Sequence, residues 1–219
     1  MFETLHSPSA LFWPLLTRLG EAQILLPLSL VAALWLGLRA GQAALARRWM
    51  LALAAAVALT TLSKLAFMGW GLGIAALDFT GFSGHSMFAA ATLPMLASVA
   101  SLGRRGHGQA AWLGLGLAAL VAVSRVQVSA HSPSEALAGF ALGALASLYA
   151  LRLAGPSSLR VPLWLPLGVL AMLISLPFAA PRSRTHDWVT ALSLQLSGRS
   201  QAFTRADLHR LNAAPVQPV

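Results

Sequence analysis

Six long apolar runs, at residues 22–38, 49–65, 86–102, 110–123, 134–151 and 161–179, constrain this chain more than any other feature. At 1.5 Å per residue, about 20 helical residues cross roughly 30 Å of hydrocarbon, and each run is long enough for that or nearly so. The fourth is the shortest and extends to about Val128 if it carries Arg125 on its last turn. The expected fold is therefore an all-α, polytopic membrane helical bundle of about six transmembrane helices. Residues 1–21, which mix Phe12, Trp13 and Pro14 with Arg18 and Glu21, read as an interfacial helix, and a second is expected near 186–197.

Composition agrees. Of 219 residues 57% are hydrophobic and only 10% charged, whereas a soluble domain carries about 25% charged residues. The formal charge of +9 comes almost wholly from arginine, since Lys64 is the sole lysine among fifteen basic residues. The arginines fall in short loops, where they set topology and meet anionic head groups, and they form no soluble basic and aromatic patch of the kind that binds nucleic acid. There is no cysteine, so disulfides and thiolate chemistry are excluded. The N-terminus lacks the basic region of a cleaved signal peptide and is expected in the mature protein.

Arg39, Arg47 and Arg48, then Arg104 and Arg105, then Arg152 and Arg160 occupy alternate loops on one side of the six spans. The positive-inside rule makes that side cytoplasmic, so loops 66–85 and 124–133 face outward. A bacterial inner membrane with the site on the periplasmic face is the expected location. Residues 1–180 then form the membrane domain, with a motif core at 64–140, and 181–219 an extramembrane tail that is disordered at its end, from Asn212 onward.

Both outward loops carry chemistry. Phe82-Ser83-Gly84-His85 precedes the third run; Ser124-Arg125 is followed by His131 and, four residues on, Glu135. A phosphoester can be cleaved in two steps by one imidazole that attacks phosphorus and a second that protonates the departing oxygen, with cations around the equatorial oxygens. His131 and His85 supply the imidazoles, and Lys64 and Arg125 the fixed charge. Ser83 and Gly84, ahead of a helix, can point backbone N–H groups and a hydroxyl at an anion. Glu135 lies one turn beyond His131 and can fix its tautomer; Pro133 suits a helix start that Ser132 or Ser134 caps.

These residues resemble the type 2 phosphatidic acid phosphatase family. That family's signature is lysine, six residues, Arg-Pro; then Pro-Ser-Gly-His; then Ser-Arg, five residues, His, three residues, Asp. The third part here is Ser124-Arg125, then His131, then Glu135 in place of the aspartate; the second lacks only its proline; and Lys64 is followed after six residues by Gly71-Leu72, without the arginine. The resemblance implies a metal-independent membrane phosphatase without cofactor, acting on a membrane lipid through a phosphohistidine. His131 would be the nucleophile, Glu135 its orienter and His85 the acid, with Lys64, Ser83, Gly84, Ser124 and Arg125 holding phosphate. Arg182 or Arg184 could replace the missing arginine.

A site at the membrane boundary favours an amphiphilic substrate, with a polyprenyl diphosphate such as undecaprenyl diphosphate first and a phosphatidate or phosphatidylglycerol phosphate next. A lipid phosphotransferase using the same groups, and a non-enzymatic transporter or head-group binder, are the alternatives. Plainer readings stand beside the site: Lys64 as a snorkelling lysine, Asp78 as a loop cap, His186-Asp187-Trp188 as an interfacial anchor, and Arg104, Arg105 and His107 as topology determinants. His85, His131 and Glu135 could supply three zinc ligands, but the Lys64 and Arg125 charges oppose a cation there.

Overall fold

A computed structural model describes residues 8–102, 107–152, 161, 164–179 and 184–213. The described residues form nine α-helices: α1 (Pro8–Arg18), α2 (Ala22–Leu38), α3 (Ala43–Trp70), α4 (Gly84–Ala100), α5 (His107–Gln127), α6 (Pro133–Arg152), α7 (Trp164–Ala179), α8 (Thr185–Ser197) and α9 (Arg205–Ala213), with a 3-10 turn at Ala75–Leu77. The expected all-α class holds. Four stretches, 11–38, 43–70, 109–127 and 133–152, are long and apolar enough to cross a membrane. These stretches cover four of the six expected spans; the other two correspond to α4 and α7, described over 17 and 16 residues. The fourth run does extend, through Gln127, and carries Arg125 in its last turn.

The bundle is built around α4. Its residues from Met87 to Met95 are almost all buried, and it packs along α5 and α6. Small residues make this possible, as is usual where helices approach closely in a membrane. A Cβ added at Gly139 of α6 would lie 2.5 Å from the Ser83 carbonyl oxygen, so only glycine lets α6 touch the start of α4. Outward, Leu30, Val31 and Leu34 of α2, Leu59 and Leu62 of α3, and Leu137 and Leu145 of α6 are exposed. Such apolar faces are stable against lipid and costly against water.

Pro94 interrupts α4 and cannot donate to Ala90; a buried carbonyl left unpaired there would cost free energy. The Ser147 hydroxyl of α6 donates to the Ala90 oxygen at 2.7 Å, and Trp49 Nε1 of α3 donates to the neighbouring Ala91 oxygen at 2.9 Å. Three helices are thus joined at the kink-prone turn.

The helix ends carry the site. Gly71, at φ 72°, closes α3: its N–H donates to Phe67 at 2.7 Å and that of Leu72 to Ala66 at 3.3 Å, the paired bonds of a left-handed helix stop. The C-terminal segment folds back along α3. Phe203 N donates to the Met68 oxygen at 2.9 Å, and Leu208 of α9 is buried. The helix expected near 186–197 is α8, and it packs on α3. Residues 214–219, within the expected disordered end, lie outside the described residues.

Candidate active site

At one end of the bundle, α3 finishes, α4 and α6 begin, α5 finishes, and the turn between α1 and α2 closes over them. A cavity of about 800 Å³ opens there, lined by Lys64, Gly84, His85, Arg125 and His131 among others. Five of the eight expected site residues therefore meet on one surface, although they come from four different segments.

Glu135 is placed by local sequence. Ser132, Pro133 and Glu135 form a capping box: the Glu135 N–H donates to Ser132 Oγ at 3.3 Å, and the Ser132 N–H donates to Glu135 Oε2 at 3.1 Å. Pro133 occupies the first helical position, where its missing N–H is harmless. The same Oε2 lies 2.7 Å from His131 Nδ1, so Glu135 both starts α6 and fixes the imidazole. With Nδ1 engaged by the carboxylate, Nε2 is left as the nitrogen free for chemistry. Burial holds the His131 imidazole below its ordinary value of 6.5; its hydrogen bond to the Glu135 carboxylate opposes this, and the positive charges of Lys64 and Arg125 add to it.

The carboxylate is itself fully buried. Its Oε1 accepts from the Thr80 N–H at 2.7 Å and from the Thr80 hydroxyl, and Arg205 Nη2 donates to Oε2 at 2.8 Å. Arg205 reaches across from α9 and pairs with Asp78, donating also to the Asp78 carbonyl at 2.7 Å. Asp78 is therefore more than a loop cap: with φ 48° it ends the 3-10 turn, and it holds Arg205 and, at 2.8 Å, His209 Nε2.

Arg125 is anchored on its outer side. Its Nη1 donates to Thr17 Oγ1 of α1 at 2.8 Å, while its buried Nε has no partner among the described residues. The Thr60 hydroxyl, buried on the cavity wall, is likewise unpartnered among them. Lys64, one turn beyond Thr60 on α3, lines the same wall and makes no ion pair among the described residues. Buried donors without acceptors are costly, and cations gathered around a cavity set a place for an anion.

Ser83 and Ser124 have other duties. Ser83 caps α4: its hydroxyl accepts from the Ser86 hydroxyl at 3.0 Å, its N–H donates to the Glu135 carbonyl at 3.1 Å, and it is fully buried. What it presents to the cavity is the next residue, Gly84, at the N-terminus of α4, where first-turn N–H groups have no helical acceptor. Ser124 is also fully buried, and its hydroxyl donates back to the Val121 carbonyl at 2.6 Å. Both serines shape helix ends, and neither lines the cavity.

Of the two expected substitutes for the first-motif arginine, Arg182 lies outside the described residues, and Arg184 is exposed, pairs with Asp187 at 3.8 Å and does not line the cavity. The additional cation on the wall is Arg205. His186 and Trp188, read above as an interfacial anchor, line the cavity as well. Thr17, Thr60, Thr80 and Arg205 went unseen in the sequence. Thr204 and Asp207 did mark a helix start at Arg205, since the Thr204 hydroxyl donates to Asp207 Oδ2 at 2.6 Å, but nothing along the chain tells which loop that helix faces. Among the described residues, no three His, Cys, Asp or Glu side chains are grouped to hold a metal ion.

No family model matches the chain, and no solved structure matches it. A relative, described as an uncharacterized 22.5 kDa protein in the cps region of Klebsiella pneumoniae, is 44% identical over 131 residues, covering 58% of this chain and 62% of that protein. The chain thus spans less than two thirds of that relative's length.

Proposed function

We propose that this protein is an integral membrane phosphatase that removes a phosphate from a lipid phosphate or diphosphate through a phosphohistidine. The observation that carries the reading is a single cavity lined by His85, Lys64, Arg125 and a His131 already oriented by Glu135. In the first step, His131 Nε2 attacks phosphorus, a P–N bond forms, and the P–O bond to the lipid breaks while His85 gives its proton to the departing oxygen. In the second, water attacks the phosphohistidine, His85 takes a proton from it, and the P–N bond breaks to release phosphate. Lys64, Arg125 and the N-terminus of α4 stabilise the charge on the equatorial oxygens in both transition states.

Charge at the end of an apolar bundle favours an amphiphile. Leu26, Val57, Met68, Phe88 and Val189 form an apolar part of the same cavity wall, which suits the first carbons of a lipid chain while the head group meets the histidines. A polyprenyl diphosphate such as undecaprenyl diphosphate is the preferred substrate, with phosphatidate or phosphatidylglycerol phosphate next. Counted over six crossings, the loop arginines favour the outer face of a bacterial inner membrane for the site.

Phosphate release by the purified protein over a panel of lipid phosphates and diphosphates tests the reading, with His131→Ala as the blank. Release by the wild type and none by the variant is expected. Equal release from both sinks the proposal, and binding of the lipids without release by either favours a head-group binder.

A further inference from the structure

Glu135 receives more donors than a carboxylate can readily serve. Five reach it: the Thr80 N–H and hydroxyl on Oε1, and the Ser132 N–H, His131 Nδ1 and Arg205 Nη2 on Oε2. An ionised carboxylate offers about four lone-pair sites. Two of the five donors are backbone amides fixed by the loop and the capping box, and His131 is tied by its neighbouring turn. Arg205 is the exception: it arrives from a segment 70 residues away, ends in a flexible side chain, and is 36% exposed, against 15% for the His131 side chain. It is the donor that leaves Glu135 at least cost, because four donors remain.

Where Arg205 can turn is set by two more observations. Its other nitrogen, Nη1, is held by the side chain and carbonyl of Asp78, so the guanidinium pivots about that point and does not drift into solvent. And Arg205 lines the same cavity as Lys64 and Arg125, in which the Nε of Arg125 is buried without a partner among the described residues. A planar guanidinium fork is the side chain best matched to a tetrahedral oxyanion.

We propose that Arg205 is the third cation of the anion site, a phosphoryl-holding residue delivered by the C-terminal segment, parked on Glu135 when the cavity is empty and shared with the anion when it is filled. The site is then complete only while α9 is docked against the loop at Asp78. The docking is specific: Leu208 is buried, His209 Nε2 lies 2.8 Å from Asp78 Oδ1, and the Thr204–Asp207 capping box fixes Arg205 at the first helical position. Placing a guanidinium beside the His131–Glu135 pair also ties filling of the site to the orienting carboxylate, which keeps its charge when the cation turns away. The assignment rests on the phosphatase reading only in taking the anion as a phosphoryl group.

Inorganic phosphate is the probe, titrated against the full-length protein in detergent, with the thermal unfolding midpoint read at each concentration. Amide hydrogen exchange over residues 184–213 reports whether the segment stays docked. Arg205→Ala should weaken phosphate binding on the order of 10- to 100-fold, as loss of a charge-assisted hydrogen bond does, and Arg205→Lys should recover part of it. Arg210→Ala, which removes an exposed charge from the same helix, should bind phosphate as the wild type does. Unchanged affinity in Arg205→Ala overturns the assignment, as does an equal loss in Arg210→Ala. So does an Arg205→Lys protein that docks normally yet binds no better than Arg205→Ala. Turnover separates this from the function itself: Arg205-dependent phosphate binding without release from any lipid defeats the phosphatase reading alone, and full lipid turnover by Arg205→Ala with an unchanged KM defeats the assignment alone.

Discussion

His131 Nδ1 lies 2.7 Å from Glu135 Oε2, and the same oxygen accepts the Ser132 N–H that opens α6. One carboxylate therefore starts a helix and orients an imidazole. Because the helix start is fixed, the orientation is fixed, and the proposed nucleophile would require no reorganisation when substrate arrives.

Glu135→Gln tests this arrangement. Glutamine can keep the capping bond from Ser132 but removes the charge that stabilises an imidazolium and favours the proton on Nδ1. Phosphate release should fall on the order of 100- to 10,000-fold, with the helical circular dichroism unchanged. A rate within a few-fold of the wild type at every pH from 5 to 8 would remove the orienting role.

The pH dependence has a definite sign. A nucleophilic His131 must be neutral, and burial together with the Lys64 and Arg125 charges holds its proton affinity below the ordinary value of 6.5. The group is therefore deprotonated through the neutral range, and formation of the phosphohistidine is limited by it only on the acid side. Pre-steady-state measurements of that step should give an acid limb with a midpoint below 6.5; a midpoint at or above 7 contradicts the environment described.

Metal chelation discriminates a different chemistry. The proposed steps use imidazoles and organic cations alone, so phosphate release should persist after dialysis against a strong chelator. Loss of activity, restored by one divalent ion and not by others, would replace the phosphohistidine route with metal-assisted hydrolysis.

Ser147→Ala addresses the fold away from the site. It leaves the Ala90 carbonyl, already deprived of a helical donor by Pro94, unpaired in the core. The expected cost is about 1–2 kcal/mol, seen as a lower unfolding midpoint, with activity per folded molecule retained. An unchanged midpoint would mean that the carbonyl finds another donor.

Much of this was written locally. Apolar runs demand helices in lipid, because only internal pairing satisfies the backbone there, and residues four apart on a helix start share a face; so the bundle and the His131–Glu135 pair follow from order along the chain. Proximity of residues at the ends of adjacent helices is nearly as local, which is why Lys64, His85 and Arg125 were found to share a wall. Ser83 and Ser124 were read as phosphate ligands because a motif names residues but does not say which way a hydroxyl turns; here each bonds to its own helix end.

The sequence by itself determined an all-helical chain of apolar segments and set two histidines, a lysine and an arginine at the ends of those segments. Only the tertiary structure decided that four stretches have spanning length, that Thr17 anchors Arg125 from 108 residues away, and that the further cation on the cavity wall is Arg205 and not Arg184. The reason is physical: periodicity and helix caps act over one or two turns, whereas the position of α9 depends on a few contacts, Leu208 packing and the Asp78 ion pair among them, made between segments that the chain keeps far apart.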